Sequence, residues 1–331
     1  MIWMAVMRSR LGLLLQRAGR FSTRPIGAMA LAVVGFSLMA GAGAAPVAFS
    51  RRQTKPWFDA RTVCFFRLGA AGMPQTPQEL AGALSRGCRQ SMILPDEDNT
   101  VAIDGAAYPS INSLTIDLSD GRFRSSKKDK INVNNKIEQD LRVRHLEVRG
   151  QPLLLQHARL NMNLVADGAE VALERDLHGR PVMVLADARS GHLDFEVSIR
   201  DAEAILLRTA REAASRYGVT IEQMDIKVMP QTPRSVQAQV HVMTLVGFIP
   251  AGMIFKAHVT VDNAMNARLS GLTVDGDEAL GPLIVGFLRP GLEKYNNETR
   301  PLVSFPAGKV QLRDVAVRVD DSLHLTAAFG S

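Results

Sequence analysis

The sequence predicts an α+β fold in which a curved antiparallel β-sheet wraps one or two apolar helices. Three observations predict it. From Ser110 onward, short alternating runs are separated by turn residues such as Asp120-Gly121, Asp167-Gly168 and His178-Gly179, the pattern of an antiparallel meander. Two later segments carry apolar residues at helical rather than strand spacing. From His192 to Ser331 the chain reads strand, helix, long hairpin, strand, helix, strand pair.

Each element has its own signal. Leu114, Ile116 and Leu118 alternate with polar neighbours, as do Leu141, Val143, Leu146 and Val148. Leu153 to Leu155, Leu160 to Leu164, Val171 with Leu173, and Val182 with Val184 follow as further short strands. His192 to Val197 is another. A helix then starts near Asp201, with Ala202, Ile205, Leu206, Ala210, Ala213 and Tyr217 on one stripe. Ser198 or Asp201 caps its start and Gly218 suits its end. In the hairpin that follows, Gln237, Gln239 and His241 take one face and Val236, Ala238, Val240 and Val242 the other. The second helix is expected over about Glu278 to Asn297, crowded with Leu280, Leu283, Ile284, Phe287 and Leu288. Pro290-Gly291 should kink or break it.

The N-terminus changes how the charge reads. Arg8, Arg10, Arg17, Arg20 and Arg24 precede an uncharged run from Ile26 to Phe49, which passes through the small residues Ala40 to Ala45. Residues 1–45 therefore read as a secretory signal peptide or as an uncleaved N-terminal membrane anchor; either places the rest of the chain outside the cytoplasm, in the periplasm or cell envelope. Five of the six net positive charges lie in that segment, leaving +1 from residue 46 onward. A nucleic-acid partner, which a basic chain would otherwise suggest, loses its footing. One basic cluster survives, Arg122, Arg124, Lys127, Lys128 and Lys130, read as a solvated loop or a contact for anionic head groups.

Residues 46–109 form a heterogeneous extension with a short helix expected near Pro77 to Arg86. Its two cysteines, Cys64 and Cys88, are the only ones in the chain. In an oxidising compartment they are expected to be bridged, which would stabilise the extension by about 3 kcal/mol. Residues 110–331 form the main domain. Hydrophobic residues at 46% supply a core, and aromatics at 5% make it mostly aliphatic.

Catalytic constellations are not nominated. The seven histidines are not paired with one another or with cysteine at metal-ligand spacing. Asp275-Gly276-Asp277-Glu278 lacks the later ligands of a calcium loop and reads as a turn with a helix start. No cofactor or metal is expected. A greasy fold without chemistry suggests a non-catalytic holder of an apolar molecule. The alternatives are a membrane-anchored structural or assembly protein of the envelope, and a hydrolase with an unseen site.

Particular residues sharpen this. Val143-Arg144-His145-Leu146-Glu147-Val148, then Leu193-Asp194-Phe195-Glu196-Val197-Ser198-Ile199 running into the first helix, the hairpin Val240 to Val261, Leu272-Thr273-Val274, and Ser304-Phe305-Pro306-Ala307-Gly308-Lys309-Val310 resemble a family of secreted phospholipid-binding proteins. That family was first described for actinobacterial lipomannan elongation and was formerly a domain of unknown function. It is similar in turn to the tubular lipid-binding superfamily. The resemblance covers about the last two-thirds of the chain; the extension and Pro290 depart from it. It implies a strongly curved sheet around a long helix, a groove for the acyl chains of a phospholipid or similar amphiphile, and transport or presentation of that lipid. Leu206, Ala210, Leu283, Ile284, Phe287 and Leu288 are the lipid-lining candidates, with ordinary core packing as the other reading of the same stripes.

The hairpin tip from Val246 to Phe255 is almost wholly apolar, whereas turns are normally polar. Either it folds over the core, or it touches a membrane or rims the groove. Phe248, Ile249, Met253 and Phe255 are the candidate contact residues.

Overall fold

The computed structural model describes residues 56–59, 65–95, 100–105, 107–124, 133–155, 158–215, 219–246, 249–278, 280–293, 295–305 and 309–331. They are mostly sheet with few helices. In chain order the elements are β1 (Phe58–Asp59), β2 (Phe65–Arg67), α1 (Pro77–Ser91), β3 (Met92–Ile93), β4 (Val101–Asp104), β5 (Ser110–Asp117), β6 (Arg122–Phe123), β7 (Val133–Leu155), β8 (Ala158–Asp176) and β9 (Pro181–Ser198). There follow α2 (Ile199–Ser215), β10 (Thr220–Thr232), β11 (Ser235–Val246), β12 (Ile249–Val261), β13 (Asn266–Asp277), α3 (Gly281–Glu293), β14 (Thr299–Pro301), β15 (Val303–Ser304), β16 (Gln311–Val319) and β17 (Ser322–Gly330). The chain forms two compact units. One comprises Ala202–Thr260 and Arg268–Thr299; the other takes the described residues up to Asp201 with Val261–Ala267 and Arg300–Ser331.

The larger unit is built on a ten-stranded sheet ordered β16-β17-β9-β8-β7-β5-β4, with β2 beside β9 and β6 between β3 and β7. Its centre differs from the series of short strands expected. β7, β8 and β9 are 23, 19 and 18 residues long. The Asp167-Gly168 signal is not a turn. Gly168 adopts the left-handed φ of 59° inside β8, and pairing continues past it, Asp167 with Ser190 and Ala169 with Ala188. A residue type that permits a turn here permits a local twist instead. Leu141 to Val148 and Leu153 to Leu155 likewise belong to one strand, with a register shift between Gly150 and Leu153. His178-Gly179 is a true turn, with Gly179 at φ 76°. The meander is also not wholly antiparallel, because β5 pairs β7 in parallel from Ser110↔Arg142 to Asp117↔Arg149.

The expected helix of the extension runs longer, to Ser91. Thr76 caps it by accepting the Glu79 N–H at 3.2 Å, and Glu79 reaches back to the Gln75 N–H at 2.7 Å, a reciprocal arrangement close to a capping box. Its stripe Leu80, Ala83, Leu84, Gly87 and Cys88 is buried.

The smaller unit holds most of the five-stranded sheet β10-β11-β12-β13-β14. Ser198 caps α2: its hydroxyl accepts the Asp201 N–H at 3.0 Å and donates to the Asp201 carboxylate at 2.8 Å. Leu206 and Ala210 are buried against Ile221, Met224 and Ile226 of β10 and Ala238, Val240 and Val242 of β11, with Phe255 packed alongside. Arg211 donates to the carbonyls of Ile221 and Glu222, and Glu203 accepts the Ile226 N–H. These bonds cover part of the exposed edge of β10, which would otherwise invite another strand.

Candidate apolar contact site

Both helices lie on one face of the five-stranded sheet. Lys256 Nζ stands 3.3 Å from Asp275 Oδ2, so these two share a face. Phe255 and Val274, one residue earlier in each strand, take the other, and Phe255 is among the residues packed against α2. Gly276, in phase with Val274, lies against the first residue of α3. A Cβ there would lie 2.3 Å from the Gly281 carbonyl carbon, and a Cβ on Gly281 would lie 2.5 Å from the Gly252 carbonyl oxygen. Gly276 and Gly281 thus let the first turn of α3 rest directly on β12 and β13, whereas a Cβ on Gly252 would meet the Asp277 carboxylate on the opposite face. The opposite face is polar. There Asp225 and His241 pair in register, and His241 stands 3.8 Å from Asp225 and 3.7 Å from Asp277.

α3 buries only part of its apolar surface. Val285 and Leu292, seven residues apart and therefore on one stripe, are buried, while Leu283 is 46% exposed. Ile284 and Leu288 are half-buried between them. The Phe287 side chain lies outside the described residues. Pro290 sits within the helix, which runs through it for three residues and stops at Glu293. The expected break is thus an early end, consistent with the lost backbone hydrogen bond.

The hairpin is tighter than its apolar run suggested. Val246 pairs with Ile249, leaving Gly247 and Phe248, which lie outside the described residues. Ile249 is half-buried and Pro250 exposed. Met253 is buried, and Phe255 packs toward α2, so these two sit on the core side of the sheet. Gly252, under the start of α3, is three residues from Ile249, about 10 Å along the strand. The half-exposed residues of α3 and the hairpin end therefore belong to one end of this unit.

The remaining candidates are placed as follows. Leu206 and Ala210 pack on their own sheet. Cys64 lies outside the described residues, and so does its pairing. Cys88 is buried, and burial pushes its thiol up to about 11. Arg122 is exposed on β6, whereas Arg124 donates to the carbonyls of Arg89 and Met92; Lys127, Lys128 and Lys130 lie outside the described residues, as do residues 1–45. Among the described residues no group of three His, Cys, Asp or Glu side chains could hold a metal ion, and no helix is long and apolar enough to cross a membrane.

No family model matches this chain, and no curated protein matches it. Among solved structures, the crystal structure of a lipopolysaccharide binding protein is similar at 11% identity, over 50% of this chain and 53% of that one, with a TM-score of 0.17. The chain thus spans about half the length of the solved chain it matches, and a TM-score of that size carries no argument for a shared fold or ligand.

Proposed function

We propose that the chain binds a phospholipid or similar amphiphile non-covalently in the cell envelope, carrying or presenting it without chemistry. The supporting observation is the end of the smaller unit, where Leu283, Ile284 and Leu288 remain partly exposed on a helix seated beside an apolar hairpin. Covering large apolar side chains with acyl chains yields roughly 1.5–3 kcal/mol each. In this reading α3 lies against the lipid, Phe248 and Ile249 form the rim or touch the membrane, and the sheet curves around the helices in the manner of tubular lipid-binding proteins. Leu206 and Ala210, already covered, would meet a ligand only if α2 lifts from β10 and β11. Residues 1–45 deliver the protein across the membrane or tether it there.

The filled cluster beneath α2 favours a second reading, a structural or assembly protein of the envelope with an ordinary protein core. Uptake of a fluorescent phospholipid from vesicles separates the two. The double variant Phe248→Asp, Ile249→Asp is expected to lose uptake while keeping its unfolding midpoint. Unchanged uptake by a folded variant would remove the hairpin from the proposal.

A further inference from the structure

A second surface, in the larger unit, has a different chemistry. Ile93 of β3 pairs with Arg122 of β6, Arg122 with Leu154 of β7, and Leu154 with Arg159 of β8. Directly paired residues project to the same face. The four side chains therefore form one row across four strands, alternating apolar and cationic, about 14 Å long at strand spacing. Core packing does not account for the row. Met92, Leu153 and Leu160, each one residue earlier or later in their strands, are buried on the opposite face, whereas Ile93 is 53% exposed. Arg122 and Arg159 are exposed and Leu154 half-buried. Phe123 pairs with Met92 and so lies on that opposite face, outside the row. Arg124, two residues on from Arg122, is fixed by its bonds to the Arg89 and Met92 carbonyls, which adds a third guanidinium beside β3. Among the described residues no carboxylate forms an ion pair with Arg122 or Arg159. Lys127, Lys128 and Lys130 and the acidic run Asp96-Glu97-Asp98 flank the row in sequence and lie outside the described residues, so the three arginines carry the charge argument.

We propose that this row is a docking surface for an anionic lipid bilayer. The alternation fits that partner: guanidinium groups meet lipid phosphates while Ile93 and Leu154 enter the shallow boundary between head groups and acyl chains. A purely acidic protein surface would use the cations and leave the apolar side chains unmatched. The surface is separate from the lipid-holding site proposed above and does not depend on it. It would bring the protein to a membrane; the other site would take a lipid.

Sedimentation of the full chain with vesicles tests this. Vesicles of phosphatidylcholine alone are compared with vesicles in which part of that lipid is replaced by phosphatidylglycerol. Binding is expected only to the anionic vesicles, and it should weaken as salt rises. Each cation near such a surface is worth about fivefold in partitioning, so Arg122→Gln with Arg159→Gln should weaken binding by about 25-fold. Ile93→Ser should weaken it further at constant salt dependence. All three positions are on the surface, and an unchanged unfolding midpoint confirms that the variants fold. Equal binding to both vesicle types, full binding by the arginine variant, or capture of an acidic protein without vesicle binding would each overturn the proposal. The Phe248→Asp, Ile249→Asp variant keeps this salt-dependent binding if the row is the docking surface, so the two readings can fail separately.

Discussion

Arg180 donates its Nε to Asp176 Oδ2 at 2.7 Å across the turn that joins β8 to β9. The other oxygen, Oδ1, accepts the backbone N–H groups of His178 and Arg180, each at 2.9 Å. A fully buried carboxylate thereby closes the turn between two of the longest strands.

Burial by itself would raise the Asp176 carboxyl, but the backbone N–H groups and the Arg180 guanidinium outweigh it and hold it below the usual carboxylate range. Its stabilisation is therefore present above the unfolded value of about 3.9 and is lost as pH falls through the lower folded value. Asp176→Asn should cost about 2 kcal/mol at neutral pH. Urea unfolding across an acid series should show the variant and the parent converging only at the acid end.

Glu174 behaves oppositely. It is 8% exposed, Oε2 has no hydrogen-bond partner among the described residues, and burial raises its carboxyl. The fold favours its protonated form, so its contribution is best below the unfolded value of about 4.3 and is lost as pH rises through the folded value. Glu174→Gln should stabilise the protein at neutral pH by about 1 kcal/mol, a gain that disappears in acid. Equal or lower stability of the variant at neutral pH would show that the ionised form has a partner.

Two leucines separate core from contact site. Leu206→Ala opens a cavity between α2 and its sheet and should cost about 2–5 kcal/mol. Leu283→Ala removes a half-exposed side chain and should cost under about 1 kcal/mol, while weakening lipid binding. Thermal unfolding beside a lipid-binding assay reads both; a large stability loss at Leu283 would return α3 to the core.

Gly281→Ala tests how α3 is seated. The added Cβ meets the Gly252 carbonyl at 2.5 Å, and a backbone atom yields less readily than a side-chain end. A loss of about 1–3 kcal/mol is expected, with faster amide exchange in α3 than elsewhere in the unit.

Local patterns carried much of this architecture and pairing carried the rest. The strand β11 and the stripe of α2 follow from alternation and helical spacing, because each depends on neighbours in sequence. The helix α2 starts at Ile199, two residues before Asp201, and of the two caps expected, Ser198 is the one used. Gly168 misled because a left-handed glycine serves a twisted strand as well as a turn. The parallel pairing of β5 with β7 has no local signature, since β5 and β7 are separated by the β6 crossover. The same holds for the Ile93–Arg122–Leu154–Arg159 row, which exists only once four strands are in register. Of the contact site, the apolar content of α3 was legible from its residues; the exposure of Leu283 and the depth of Met253 were not, because both depend on which face meets the sheet.

Native mass spectrometry of the protein purified from its host tests the central claim most directly. The account predicts a bound species with the mass of a phospholipid or similar amphiphile, displaced in a folded Leu283→Asp, Ile284→Asp variant. Repeated recovery of the bare protein at full occupancy of its fold would contradict it.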